Sequence, residues 1–238
     1  MLNRPKIIAH RGASHESPEN TIASIKKAID IKVDCIEIDV HLSKDHVPVV
    51  FHDDTIERTT SGKEKQLITE MTLKELKQLD AGSWHPSSPK DESIPTLKEV
   101  LNLDFKGCGL MIEIKKSPYP AALVAKKILD VINEANPSNF VILGSFEPEL
   151  LHATKEIKPE AKLIYIIDKA SQIDHFQSHH VAIWEKLITP DLIEQLLKKN
   201  KEIWTFTVDS PKRAKEINTP GISGIITNNP RLMKEVFA

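Results

Sequence analysis

Three acids, two histidines and two cations carry the chemistry this sequence can offer. Glu37 and Asp39 stand two positions apart in the segment DCIEIDVHLSKDHVPVVFHD, residues 34–53. Side chains on a strand alternate between faces, so Cys35, Glu37, Asp39 and His41 share one face and Ile36, Ile38, Val40 and Leu42 the other. Two carboxylates pointing the same way call for a cation or a proton on that face. A third acid, Glu113, comes near the end of the apolar run LMIEI. Oxygen-only donors of this kind suit a hard divalent ion, Mg2+ or Ca2+, completed by water and substrate. Zinc draws more on histidine and cysteine. His10 and His52 are the candidates for a general acid/base pair near neutral pH. Arg11 and Lys115 suit an anionic oxygen, one as a fork and the other as a point charge. Beside a divalent metal they would stabilise a phosphoryl group as a P–O bond breaks. The competing reading is a salt-bridge cluster of the same acids and bases with two structural histidines. Trp204 either stacks on a substrate's carbon skeleton or fills the core.

The elements that must position these residues follow from patterning. Lys44-Asp45-His46-Val47 reads as a two-residue hairpin loop centred on Asp45 and His46, residue types that tolerate positive φ. With Lys44 paired to Val47, Asp39 falls opposite His52. Before the hairpin, KIIA (Lys6–Ala9) is a short strand, and a helix starts with Ser17 as cap and Pro18 in its first turn. Residues 54–93 belong to no strand–helix unit, apart from a short helix capped by Thr72, and read as a small insertion over a barrel mouth. From Ile94 onward helices and strands alternate regularly, the least regular stretch being SQIDHFQSHH, read as a helix. This makes eight strands, mostly separated by helices, in 238 residues. The fold class is therefore α/β, a TIM-type (β/α)8 barrel formed by one domain, residues 1–238, with an open doubly wound sheet as the alternative. In such a barrel the polar residues at the C-terminal strand ends form the active site. The opposite ends are expected to show no convergence of acids, histidines and cations. His15, His41 and His46 are expected at the surface or rim, and the remaining histidines show no usable pattern.

Composition narrows the partners. The chain is 40% hydrophobic and carries 32 basic against 34 acidic residues, a net charge of −2, so no long-range field favours nucleic acid or an anionic membrane. No apolar run reaches the roughly 20 residues that span a bilayer, so no stable membrane insertion is expected. The strand at Lys6 leaves no room for a signal peptide, and Cys35 and Cys108 read as buried thiols in a reducing compartment, which together point to a cytoplasmic protein.

At these residues the sequence resembles the glycerophosphodiester phosphodiesterase family. The resemblance is carried by HRGASHESPENTIASIKKAID, VDCIEIDVHLSKDHVPVVFHDDTIERTTSG, DAGSW followed by IPTLKEVL, MIEIK, GSF, IWTFTVD and GIITNNP, in the family's order over nearly the whole chain. It implies metal-dependent hydrolysis of a small-molecule glycerophosphodiester to sn-glycerol 3-phosphate and an alcohol. It also implies His10 and His52 as the acid/base pair, Glu37, Asp39 and Glu113 as metal ligands, and Arg11 and Lys115 as phosphate contacts. The chain departs from the family's usual pattern at His46, where glycine is common, at Asp209, where an amide is common, and at Asn228, where aspartate is common. A lysophospholipase D-like activity would need an apolar path for acyl chains along Ile94, Trp84 and the insertion. A catalytically dead metal-binding barrel is the non-enzymatic alternative. The sequence leaves the headgroup, the ion and the oligomeric state open.

Overall fold

The computed structural model describes residues 4–86, 92–137, 140–173 and 178–238. Its strands are β1 (Lys6–Ala9), β2 (Cys35–Leu42), β3 (Pro48–Val50), β4 (Gly109–Ile114), β5 (Val141–Ser145), β6 (Leu163–Ile167), β7 (His180–Trp184), β8 (Glu202–Phe206) and β9 (Ile222–Thr227). Its helices are α1 (Ile22–Ile31), α2 (Leu73–Leu76), α3 (Leu97–Leu101), α4 (Ala121–Ala135), α5 (Pro148–Ile157), α6 (Pro190–Lys198), α7 (Pro211–Ile217) and α8 (Pro230–Val236). The sheet runs β1-β9-β8-β7-β6-β5-β4-β2, and a parallel β1–β2 pairing closes it into an eight-stranded barrel. β3 is appended to β2 as an antiparallel ninth strand.

Barrel strands are buried on both faces, which explains near-continuous apolar runs such as LIYII. Their outward residues pack under the helices in two clusters, one around Ile25, Ile36, Leu110 and Ile128, the other around Ile7, Val181, Leu196 and Ile225. Inward residues form a third cluster: Ile8, Cys35, Met111, Ile142, Ile164, Ile166, Ala182, Trp204 and Ile226. Gly224 leaves room for the Trp204 ring, because a Cβ there would lie 2.7 Å from Trp204 Cδ1. Above this apolar layer are the inward acids; below it the inward positions are polar. Cys35 and Cys108 are buried free thiols.

The hairpin differs from expectation by one residue. Val40 pairs with Val50 and His41 with Val49, so Phe51, not His52, lies opposite Asp39 and donates its N–H to the Asp39 carbonyl at 3.0 Å. The loop holds three residues between Ser43 and Val47. Ser43 Oγ accepts the Val47 N–H, the Lys44 N–H goes to the Met71 carbonyl, and His46 takes φ 59°. A left-handed third residue is the hallmark of three-residue hairpin loops. His41, expected at the rim, is buried, its Nε2 3.2 Å from the His52 carbonyl oxygen. α1 begins at Ile22 with a Thr21–Ser24 capping box, not at Ser17, because Asn20 at φ 58° breaks the chain direction just before it.

Between β3 and α3, the segment read as an insertion contributes α2, capped by Thr72 as expected, and a single 3-10 turn at Ile68–Glu70. Ile56, Ile68, Met71, Leu76 and Ile94 pack there with Val49 and Phe51 in a separate cluster. Residues 87–91 of its loop lie outside the described residues. The helix expected over SQIDHFQSHH is a 3-10 turn, Ala170–Gln172, with residues 174–177 also outside them.

Candidate active site

The mouth is built by the residues that follow β1 and by the C-terminal ends of β2 and β4. His10 donates its N–H to the Thr227 carbonyl, and the chain then turns through Arg11 at φ 58° and Gly12 at φ 79°. A Cβ on Gly12 would lie 2.6 Å from the Ser24 backbone carbon, so the turn is pressed against the start of α1. This fold brings the Arg11 N–H onto Glu37 Oε2 at 2.9 Å.

Asp39 and Glu113 are directly paired residues of β2 and β4, and Glu37 lies one inward position below Asp39. The three carboxylates bring one oxygen each within 4.8 Å of one another. Lys115 Nζ lies 2.7 Å from Glu113 and 3.3 Å from Asp39; Arg11 Nε lies 3.3 Å from Asp39. Asn20, which the sequence reading missed, donates its amide to Asp39 Oδ2 at 2.8 Å and accepts the Asp39 N–H.

Burial works against charge on all three acids. Glu37 is pushed well above the carboxylate range by burial, then by Asp39 and Glu113. Glu113 is pushed up to about 7 by burial, then by Asp39. Burial opposes ionisation of Asp39 too, but Lys115 and then Arg11 outweigh it and hold this carboxyl far below its ordinary value. Glu37 Oε1 and Arg11 Nε are buried without a hydrogen-bond partner. A buried carboxylate oxygen with no donor, beside two other carboxylates, is the position a cation would satisfy, and an all-oxygen donor set fits a hard divalent ion.

The two histidines are held differently. His10 Nδ1 lies 2.7 Å from Asn228 Oδ1, and Asn228 Nδ2 donates to Asp209, which fixes the amide's orientation. Burial, then Arg11, pushes His10 down to about 4. His52 Nδ1 meets Asp53 Oδ1 at 2.5 Å. Burial also lowers His52, with Asp39 and Asp53 acting to raise it. Asp53 is gripped by Arg58, whose other contacts are bidentate to Glu19 at 3.0 and 2.7 Å; Glu19 in turn accepts from Arg11 at 2.8 Å. The sequence reading assigned no role to Asp53, Arg58 or Glu19, which enter there only as letters of the stretches that carry the resemblance.

A cleft of ≈ 380 Å³ is lined by His10, Arg11, Glu37, His52 and Glu113 together with Phe146, Trp184 and Phe206. It meets a second cleft, lined by Asp53, Lys65, Lys115, Lys116 and Glu147, at His52, Glu113 and Phe146. Thus His10, His52, Arg11, Glu37 and Glu113 share one cleft and Lys115 reaches it from the other. Trp204 does not join them: its inward ring lies one turn of the strand lower, 1% exposed, with Nε1 donating to Glu202 near the opposite barrel end. Trp184 and Phe206 supply the aromatic wall instead. Ser145 accepts and donates only within the framework, its hydroxyl bonding the Ile114 carbonyl.

Among the described residues no helix is long and apolar enough to cross a membrane. A family model described as the glycerophosphoryl diester phosphodiesterase family matches residues 10–232. A glycerophosphodiester phosphodiesterase of Caldanaerobacter subterraneus subsp. tengcongensis is 34% identical over 233 residues, covering 95% of each chain. One from Bacillus altitudinis is 32% identical over 234 residues, covering 94% of this chain and 95% of the relative. The structure of an Oleispira antarctica phosphodiesterase, in complex with the product sn-glycerol-3-phosphate, superposes with a TM-score of 0.91 at 30% identity, covering 98% of this chain and 96% of that one. The barrel, the mouth and these relatives lead to one conclusion: the chain belongs to the glycerophosphoryl diester phosphodiesterase family and is a phosphoric diester hydrolase.

Proposed function

We propose that the chain hydrolyses soluble glycerophosphodiesters to sn-glycerol 3-phosphate and an alcohol, with His10 as general base and His52 as general acid. The observation that carries this reading is the unlike support of two imidazoles lining one cleft beside three carboxylates. Burial, then Arg11, keeps the His10 ring unprotonated at neutral pH against the opposing pull of Asp39 and of the Asn228 hydrogen bond, and that bond on Nδ1 leaves Nε2 to take a proton from the nucleophile. Burial lowers His52 as well, but the carboxylates of Asp39 and Asp53 oppose that lowering, and the one on Nδ1 stabilises the imidazolium that donates a proton to the leaving alcohol. Arg11 and Lys115, on the two sides of the junction, would bind the phosphoryl oxygens. Glu37, Asp39 and Glu113 would hold a Mg2+ or Ca2+ ion. That ion, when bound, supplies charge neutralisation at the phosphoryl group and activation of an oxygen nucleophile. The cleft that His10 lines would take the glycerol and the one that Lys115 lines the alcohol.

The product complex of the Oleispira antarctica enzyme supports this substrate class. The apolar path required by a lipid-directed activity is missing one of its residues, since Ile94 is fully buried, although Trp84 stays 38% exposed with Nε1 donating to the Ala81 carbonyl. We also take residues 1–238 as one barrel domain with 54–93 as its insertion, and the two free buried thiols support a reducing, cytoplasmic setting. The test is glycerol 3-phosphate release from glycerophosphocholine and glycerophosphoethanolamine. Activity should vanish with chelator and return with Mg2+ or Ca2+. His10→Ala and His52→Ala should each lose about 10²–10⁴-fold in turnover with the fold intact. Metal binding without turnover of any phosphodiester would replace this reading with an inactive barrel.

A further inference from the structure

The end of the barrel opposite the mouth is not bare, contrary to the sequence expectation. His180 opens β7 and Glu202 opens β8; they are register partners and share the inward parity of Ala182 and Trp204. Lys6, at the start of β1, places Nζ 3.0 Å from Glu202 Oε1, and Trp204 Nε1 donates to the same oxygen at 3.2 Å. The other oxygen, Oε2, lies 3.3 Å from His180 Nδ1. That nitrogen is buried and makes no well-aligned hydrogen bond, the carboxylate oxygen being its ion-pair partner. Beside it, the ring centroid of His179 is 4.9 Å from that of His180. One nitrogen of each ring and one oxygen of Glu202 all lie within 4.8 Å of one another. Among the described residues four buried side-chain polar atoms lack a hydrogen-bond partner; two belong to the mouth and a third is His180 Nδ1.

We propose that His179, His180 and Glu202 form a second metal site, for a borderline transition-metal ion such as Zn2+, distinct from the carboxylate cluster. The donor set decides the class: two imidazoles and one carboxylate suit zinc and its neighbours, whereas three carboxylates suit Mg2+ or Ca2+. An ion here would engage His180 Nδ1 and the Glu202 oxygen that faces it, while Lys6 and Trp204 keep the other oxygen in place. Zinc–ligand distances of about 2.0–2.2 Å require the three donors to draw together. His179 is exposed. The backbone is already set, since the Glu202 N–H donates to the His179 carbonyl at 3.0 Å. Such an ion would join the first residues of two neighbouring strands at the barrel floor. It would therefore act on stability, by binding only the folded chain, and not on the chemistry at the mouth.

The test is titration of the full, metal-stripped chain with Zn2+ and Co2+ in a Glu37→Gln background, which weakens the carboxylate cluster. One equivalent of Zn2+ should bind and raise the melting temperature. Co2+ should give the strong visible bands of a low-coordinate imidazole site, not the faint bands of six oxygens. His179→Gln, His180→Gln and Glu202→Gln should each lower Zn2+ affinity at least about tenfold, since even a partner one shell out from a metal is worth about 10–100-fold. In the otherwise wild-type chain, His179→Gln should leave diester turnover unchanged. Zn2+ affinity that is the same in His179→Gln and His180→Gln as in the parent, or faint six-coordinate Co2+ bands alone, would overturn the proposal and leave Lys6–Glu202–His180 as an ion-pair cluster.

Discussion

At the level of single residues, the two histidines are distinguished by what sits on Nδ1. Asp209 holds the Asn228 amide, and the amide meets His10, so on the Nδ1 side the carboxylate is one residue removed from the imidazole. Exchanging the pair, Asp209→Asn with Asn228→Asp, places a carboxylate directly on His10. A negative neighbour favours the imidazolium and raises the ring's pKa from about 4. A general base works only unprotonated, so the acidic limb of kcat/KM should move to higher pH in the exchanged variant. An unmoved limb would assign the base elsewhere. On the other side, Arg58 orients His52 through Asp53, and Asp53 is held down to about 2 against burial by Arg58 and His52. Arg58→Ala should lower kcat by up to about 10²-fold with little change in KM, because a loosened imidazole is misplaced at the reacting bond. Arg58→Lys should not rescue, since one ammonium cannot replace a fork that spans Asp53 and Glu19. Unchanged kcat in Arg58→Ala would show that His52 needs no such support. Residue types were readable from the sequence here, whereas their partners were not. His10 and Asn228 are 218 positions apart and Arg58 and Glu19 39, and no local pattern links such distances.

Elements were legible where a period or a capping residue wrote them. Thr72 caps α2 as expected, in a capping box with Glu75, and Thr96, which the sequence reading did not single out, caps α3 in the same way with Glu99. α4 is present as expected and buries Val124, Ala125, Ile128, Leu129 and Ile132, while Leu123 and Val131 are only partly covered. The hairpin register was illegible because its loop is set by contacts beyond the hairpin. Lys44 bonds Met71 and Asp45 accepts the Leu73 N–H, both from the segment after β3. The start of α1 was missed for a similar reason, since Asn20 serves Asp39 and takes a left-handed conformation to reach it. The turn after β1 gives a prediction at this scale. Gly12→Ala must place a methyl 2.6 Å from the Ser24 backbone at φ 79°, so the turn or α1 has to shift. A loss of about 1–3 kcal/mol in urea unfolding is expected, with turnover falling as Arg11 moves from Glu37. Wild-type stability would mean that the turn tolerates a side chain the geometry excludes.

Across the whole molecule, the barrel sets a buried charge cluster at its top against an apolar middle, and the cluster costs stability when no cation is bound. Glu37 illustrates the sign. Its pKa is raised well above the ordinary 4.5, so its unfavourable contribution is absent at low pH, grows as pH rises from the ordinary value toward the folded one, and is constant above it. Glu37→Gln should therefore melt at a higher temperature than the wild type at pH 7 in chelator, the two converging below about pH 4, while diester hydrolysis is lost. A lower melting temperature across that range would mean that the carboxylate stabilises the empty mouth. The barrel class was legible because strand and helix counts depend on periodicity, whereas the polar floor at Lys6, His180 and Glu202 was hidden by positions far apart in the chain. The chain of contacts from His52 through Asp53, Arg58 and Glu19 to Arg11 has a consequence for recombination between relatives. Every member lies between positions 11 and 58, so a crossover inside that interval mates one parent's arginine with another's carboxylates. A crossover at Lys106–Gly107, a left-handed turn where a Cβ on Gly107 meets nothing within 4 Å, transmits the set whole. Libraries of chimeras should yield active progeny when broken at the second place and few when broken at the first, making residues 11–58 a single heritable block.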